Sequence, residues 1–230
     1  SSDPNRWSIE LFYPVPLYLF EDYTFKNNGG CCLCFKQKKK VLKVCLKREN
    51  CITNAIHFKT LVKQIRNEGI SVLPVKKILY EDDRIFIYTQ KKCKPVSKIR
   101  KKDLLNLFIF FRSCYQANIC IPDLVPWNFG YTKDKNGDKT FYLFDLHFKA
   151  NFNSRSKFRK NIFYIYESLF EYYDILYVLD KDKFNENYEK YYSGYLPKVY
   201  TNLIRSIQKD DVENSLLWLN RVIRFIKKVK

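Results

Sequence analysis

The segment from Ile121 to Phe148, IPDLVPWNFGYTKDKNGDKTFYLFDLHF, constrains this chain more than any other. Lys135-Asn136-Gly137-Asp138 is a turn signal, because Asn-Gly accepts the positive φ angles of a tight hairpin. Phe129 to Thr132 and Thr140 to Phe144 then read as its two strands. That geometry brings Asn128 and Asp145 to the same open end, with Asp123 on a loop just before it. Two oxygen ligands and a separate carboxylate in one cleft suit a magnesium-assisted phosphoryl transfer. The plainer alternative is that the same three residues only cap turns.

The order Asp-Leu-x-Pro-x-Asn, then a short hairpin, then apolar-Phe-Asp-Leu-His, resembles the catalytic loop and metal-binding segment of the protein-kinase-like superfamily. The resemblance implies an α+β, bilobal fold with a β-rich N-lobe (1–95) and a helical C-lobe (96–230). It implies ATP and Mg²⁺ as cofactors, Asp123 as the base that orients the acceptor hydroxyl, and Asn128 and Asp145 as the metal ligands. The chain also departs from the family pattern. Ile121-Pro122 replaces the His-Arg that precedes the Asp in regulated protein kinases, Val125 replaces a common lysine, and His147 stands where Gly follows in Asp-Phe-Gly. No Ala-Pro-Glu follows, so the activation segment is expected to be short or absent.

Upstream, after an aromatic and proline-bearing lead (Trp7 to Phe20), Tyr23 to Lys47 reads as strand, Gly29-Gly30 turn, strand, basic turn, strand. By the same resemblance Gly29 and Gly30 would lie over the nucleotide phosphates, although Asn-Asn-Gly-Gly is equally a plain turn. Val44-Cys45-Leu46-Lys47 looks like the family's Val-Ala-Ile-Lys. Period-two alternation puts Lys47 on the face of Cys45, pointing into the cleft, where the resemblance implies that it holds the α and β phosphates of the nucleotide; Lys43 shares that face as the alternative. Thr53 to Arg66 has the spacing of a helix but holds no acidic residue to pair with the strand lysine, which argues for an altered activity. Two strands follow, Lys77 to Tyr80 and Arg84 to Gln90, and Lys91 to Pro95 would be the hinge. The Arg-Asn-Glu-Gly-Ile stretch and the apolar-Pro-apolar after it look more like small sugar, antibiotic and lipopolysaccharide-core kinases than regulated protein kinases.

The C-lobe is expected to be helical over Ser97 to Asn118, with a core stripe of Leu104, Leu105, Phe108, Phe111 and Tyr115, and again over about Lys157 to Leu179, Tyr200 to Gln208 and Val212 to Lys230. In the last of these Leu216, Leu219, Val222, Ile223, Ile226 and Val229 form one face, and Arg221, Arg224, Lys227, Lys228 and Lys230 crowd the other. Such a helix suits an anionic membrane surface; packing on the C-lobe with solvated lysines is the favoured alternative.

A formal net charge of +18 on 230 residues points to an anionic partner: nucleic acid, an acidic membrane surface or a phosphate-bearing substrate. No zinc finger, RRM signature or KH loop is recognisable, which argues against nucleic acid, and a nucleotide with an anionic substrate or a protein partner is the expectation. Of eight cysteines, only Cys31 and Cys34 make a Cys-x-x-Cys, without a second pair to complete a zinc site. Buried free thiols in a reducing compartment are the simpler account, hence a cytoplasmic location, with peripheral membrane contact through the C-terminal basic helix as its variant; the even count also permits disulfides in a secreted form. The sequence opens at Ser1 without a methionine, which leaves room for a removed upstream signal and for secretion. The functional expectation is an ATP- and Mg-dependent phosphotransferase acting on a hydroxyl of a sugar, lipid-linked or protein substrate. The alternative is a catalytically impaired pseudokinase that serves as a binding or scaffold module.

Overall fold

The strand Lys40–Leu46 (β3) is buried from Val41 onward, so its sheet needs cover on both faces. The computed structural model describes residues 14–28, 32–47, 54–96, 100–121, 124, 126–146, 151–152 and 195–228, and it supplies both covers. β3 is the centre of a five-stranded antiparallel sheet with Thr24–Asn28 (β1), Cys32–Lys36 (β2), Val75–Glu81 (β4) and Ile85–Lys91 (β5), in the order β1-β2-β3-β5-β4. Leu42, Val44 and Leu46 pack with Ile85 and Ile87 under Val15, Leu19 and Phe20 of the N-terminal lead. Cys45, Phe86 and Tyr88 belong to the other core, which Ala55–Asn67 (α1) closes. The Phe58 ring of α1 lies 5.9 Å from that of Phe86 and 5.0 Å from that of Tyr88. Asn54 caps α1 by accepting from the N–H groups of Ile56 and His57.

Cys32 and Cys45 sit directly opposite each other on the β2–β3 ladder and are joined by a disulfide, their Cα atoms 4.3 Å apart. The expectation of free thiols fails for this pair, because the strand register aligns their side chains on one face. Cys34, Cys93 and Cys114 carry free thiols.

The helical part starts with Lys101–Ala117 (α2), later than the expected Ser97, which lies outside the described residues. The start is fixed by Asp103, whose Oδ2 accepts from the Arg100 N–H at 2.9 Å. The expected stripe is buried except for Leu105, which is only partly so, and Leu107, Phe110 and Cys114 widen it. Asn118 ends α2 in the left-handed conformation, φ 55°, and turns the chain into Ile119–Cys120.

Lys94–Pro95 (β6), Ile119–Cys120 (β7), Phe129–Lys133 (β8), Lys139–Leu143 (β9) and Asn151–Phe152 (β10) form two small sheets, β6-β8-β9 and β10-β7. The presumed hinge is therefore partly a strand, tied to the hairpin below it. The hairpin turn is wider than Asn-Gly suggests. Only Gly137 has a positive φ, 86°, and the Asp134 carboxylate closes the loop by accepting from the N–H groups of Asn136 and Asp138. The stretch after α1 joins the same hairpin, with Leu143 donating to the Ser71 carbonyl at 2.9 Å and Leu73 to the Leu143 carbonyl at 2.8 Å. One core consequently runs from Phe58 through Phe110 and Phe129 to Ile223.

Tyr195–Gln208 (α3) and Val212–Lys228 (α4) follow, and α4 packs on α2. Leu219, Val222, Ile223 and Ile226 are buried there, and Arg112 donates to the Asn220 side chain at 2.8 Å. The apolar face of α4 is thus used inside the protein, as the favoured alternative of packing on the C-lobe expects; Arg224, Lys227 and Lys228 are exposed. No helix among the described residues is long and apolar enough to cross a membrane. The helix expected over Lys157 to Leu179 lies outside the described residues.

Gly130 is where β8 meets β6 most closely: a Cβ there would stand 2.8 Å from Cys93 Sγ and collide with the Lys94 carbonyl. Gly130→Ala should destabilise the fold by about 1–3 kcal/mol, the usual range for overpacking. Urea denaturation checks this, and an unchanged midpoint would show that β6 can yield.

Candidate active site

β3 enters the site as the middle member of a cross-strand row, in which Cys34 of β2 faces Lys43 and Lys43 faces Tyr88 of β5. The row lies on the face that looks toward the hairpin. Lys43 Nζ donates to Asp145 Oδ1 at 2.7 Å and to the Phe144 carbonyl at 3.0 Å, and it stands 5.6 Å from the Phe144 ring centroid. The lysine side chain is 4% exposed and that of Asp145 24%. Burial by itself would push the ammonium down, but the Asp145 carboxylate overrides this and holds it above the ordinary lysine range. Lys43 is therefore a fixed cation at neutral pH. Burial also raises the Tyr88 hydroxyl and the Cys34 thiol, and it lifts the Cys93 thiol to about 12, so all three stay protonated.

Asn128 reaches this place through the hairpin. It closes the short 3-10 turn Pro126–Asn128, is buried, and accepts from the Phe144 N–H on its backbone carbonyl at 3.0 Å. Because Phe129 pairs with Leu143, Asn128 and Asp145 flank the same end of the ladder. Trp127, one residue earlier, is a large exposed aromatic.

The residues expected from sequence fall into three groups. Asn128 and Asp145 are brought together. Asp123, Gly29 and Gly30 lie outside the described residues, as does His147. Lys47 is corrected: it follows the end of β3, and its ammonium pairs with Glu81 at 2.8 Å instead of entering the cleft. Glu81 also accepts from the Ala55 N–H, so this pair fastens β3, β4 and the start of α1. The strand lysine at Asp145 is Lys43. Register explains the outcome, since Lys40 pairs with Lys91 beside the presumed hinge, whereas Leu46 pairs with Ile85 at the far rim. The Val-Cys-Leu-Lys match drew attention to the rim lysine; counting back from the hinge would have found the central one. Tyr88 and Cys34, its cross-strand neighbours, carried no motif signal.

The donor set fits Mg²⁺ in the way that ion is commonly held. Among the described residues no group of three His, Cys, Asp or Glu side chains could form a metal cage. Mg²⁺ usually takes one or two side-chain oxygens and fills its shell with water and substrate phosphates. Asp145 and Asn128 offer one carboxylate and one amide, and Lys43 sets a compact positive charge next to them.

No protein-family model and no curated protein sequence matches the chain. Among solved structures it is similar to WbdD in a co-crystal with a kinase inhibitor, at 14% identity and TM-score 0.48, covering 90% of this chain and 46% of that one. It is similar to WaaP in complex with acyl carrier protein, at 12% identity and TM-score 0.45, covering 88% of both chains. A further likeness is to the bifunctional kinase-methyltransferase WbdD, at 12% identity and TM-score 0.43, over 97% of this chain and 46% of that one. The chain spans about half the length of the WbdD chains. The likeness is one of fold. What the site does is read below from Lys43, Asn128 and Asp145 of this chain.

Removing Lys43 leaves a carboxylate that burial disfavours, and removing Lys47 opens a pair at the rim. Lys43→Ala should cost about 3 kcal/mol, the low end for a broken buried pair because Asp145 keeps some solvent contact, whereas Lys47→Ala should cost about 1 kcal/mol or less. Urea unfolding of the two variants separates them. Equal losses would mean that the Lys43 contact contributes no more than the rim pair.

Proposed function

We propose that this chain is a divergent kinase-like phosphotransferase that uses Mg·ATP to phosphorylate a hydroxyl group. The observation that carries the reading is the buried Lys43 ammonium hydrogen-bonded to Asp145 at the end of the hairpin that also holds Asn128. Phosphoryl transfer asks the protein for little covalent chemistry; it asks for positioned cations and oriented oxygens in a cleft. Lys43 holds the nucleotide phosphates, taking over the role first expected of Lys47. Asn128 and Asp145 would hold the metal, which when bound would neutralise charge on the phosphates. Asp123, which lies between the buried Ile121 and Leu124 in the sequence, orients the acceptor hydroxyl and takes its proton. With no acidic residue in α1, Lys43 has Asp145 itself as its carboxylate. Nucleotide and metal binding therefore include a re-sharing of Asp145 between Lys43 and the metal. The acceptor is a hydroxyl of a sugar, of a lipid-linked molecule or of a protein.

A second reading is favoured by that same feature. If Lys43 keeps Asp145 to itself, the fold is a pseudokinase, a binding module with a locked cleft. Calorimetry with ATP, with and without Mg²⁺, separates the two. The phosphotransferase should bind ATP in a metal-dependent way, with affinity falling at least about tenfold in Asp145→Ala and in Lys43→Ala, a change of roughly 1.4 kcal/mol. No binding by the wild-type chain at millimolar ATP would leave the scaffold reading. Asp123→Ala should spare ATP binding while lowering transfer by about 10²–10⁴-fold, the usual contribution of a general base. Full transfer activity in that variant would remove Asp123 from the chemistry.

A further inference from the structure

At the turn end of the β8–β9 hairpin Lys133 and Lys139 are direct cross-strand partners, a like-charged pairing that weakens a ladder. Lys94 of β6 pairs with Tyr131 of β8, and the Lys102 ammonium lies 5.3 Å from the Tyr131 ring centroid. Arg100, Lys101 and Lys102 also crowd the N-terminus of α2, where the helix dipole disfavours cations. Among the described residues none of Lys94, Lys102, Lys133 and Lys139 is in an ion pair. Of the nearby carboxylates, Asp103 serves Arg100 and Asp134 closes the hairpin turn, while the exposed Asp138 beside Lys139 forms no ion pair with these lysines. The mutual repulsion is visible on Lys139, whose ammonium is held below the ordinary range by Lys102 and Lys133 first, and then by burial, Arg100 and Lys94.

Lys139 also forms the edge of a cavity of about 270 Å³. Ser71, Asn106, Ser113 and Thr140 line it with polar groups over an apolar wall that includes Ile109. Asn106 lies one helical turn beyond Lys102 and donates to the Tyr131 hydroxyl at 2.8 Å, so the lysine cluster and the cavity adjoin along one face of α2. This volume is near the lower end of small-molecule pockets, roughly 300–1,000 Å³.

We propose that Lys94, Lys102, Lys133 and Lys139, with the cavity behind Lys139, form a binding site for a phosphate-bearing small molecule or headgroup, separate from the Lys43–Asp145 cleft. Four closely placed cations without carboxylate partners suit a group carrying more than one negative charge. The hydroxyls and the amide suit the ester or sugar portion behind it. The hairpin separates the two sites: Lys139 is four ladder positions from Leu143, roughly 13 Å at about 3.3 Å per residue. The site goes beyond the phosphotransferase reading and does not depend on it.

The test uses the full chain and two probes, inorganic tripolyphosphate by calorimetry and phosphatidylcholine vesicles carrying phosphatidic acid by co-sedimentation. Four proteins are compared: wild type, the double variant Lys102→Gln with Lys139→Gln, Lys43→Ala, and the double variant Lys227→Gln with Lys228→Gln, which removes the same charge from α4. Binding of at least one probe should weaken about tenfold or more in the Lys102/Lys139 variant and persist in the Lys227/Lys228 variant, whereas Lys43→Ala reports any share of the probe held in the cleft. Loss confined to tripolyphosphate assigns a soluble phosphate ligand, and loss confined to vesicles assigns a lipid headgroup. Three results would overturn the site: no binding of either probe, equal binding by the Lys102/Lys139 variant, or an equal loss when the α4 lysines are removed. Loss in Lys43→Ala alone would place the phosphate in the cleft and also overturn the second site. ATP titrations of the same variants report on the cleft separately.

Discussion

The Lys43–Asp145 pair joins the central strand of the sheet to the end of the hairpin, over a sequence separation of 102 residues. An ion pair with one partner nearly dry is a weak source of stability, since desolvation offsets much of the attraction. What it does supply is position. The lysine has no carboxylate from α1 and donates to the Phe144 carbonyl as well as to Asp145, so the strand and the hairpin end are registered by one ammonium. Everything that makes the cleft, namely the row Cys34–Lys43–Tyr88 above and Asn128 below, is placed relative to that contact.

Such a contact holds only if both of its platforms are stiff. On the sheet side, β3 is covered by Val15, Leu19 and Phe20 on one face and by Phe58 of α1 on the other, and the Cys32–Cys45 disulfide fixes its pairing with β2. On the hairpin side, Gly130 lets β6 come within contact of β8, and Phe129 stacks on Phe141 at 5.2 Å. The bonds from Ser71 and Leu73 to Leu143 then lock the segment after α1 onto β9, two residues before Asp145. The β-rich part and the helical part share a core, and the strands and the candidate site depend on each other through it.

The elements of this fold were legible because their signals are local. Alternation in 40–46 and 85–91, helical spacing in 55–67 and 101–117, and the punctuation at Asn136-Gly137 each act over a few residues, and the register of the hairpin brought Asn128 to Asp145. The choice between Lys43 and Lys47 was not local. Both lie on one face by period two, and only the pairing of β3 with β5, which sets where the strand stands relative to the hinge, decides which of them reaches Asp145. The fate of the α4 stripe was equally beyond the helix itself. An apolar face is the same on paper whether a bilayer or α2 covers it, and Arg112 to Asn220 marks the partner that does. The cysteines show the same limit, because Cys32 and Cys45 lie 13 positions apart in sequence and only a ladder makes them neighbours.

Net charge concealed a further distinction, between cations by their surroundings. Lys43 is buried and paired, Lys47 is fastened to Glu81, and the lysines at the end of α4 stand in water on a helix whose C-terminal dipole favours them. These need no ligand to account for them. Lys133 and Lys139 differ, since the ladder holds them face to face, and Lys102 joins them from a helix end that repels it. A protein can lower such repulsion by splaying long side chains into solvent, which is open to any of these lysines. The cavity at Lys139 argues for more than that, because polar groups of α2, β9 and the segment after α1 converge on it from three directions. Repulsion on a flat surface would leave only solvated charge; repulsion at the mouth of a polar cavity describes a place prepared for an anion.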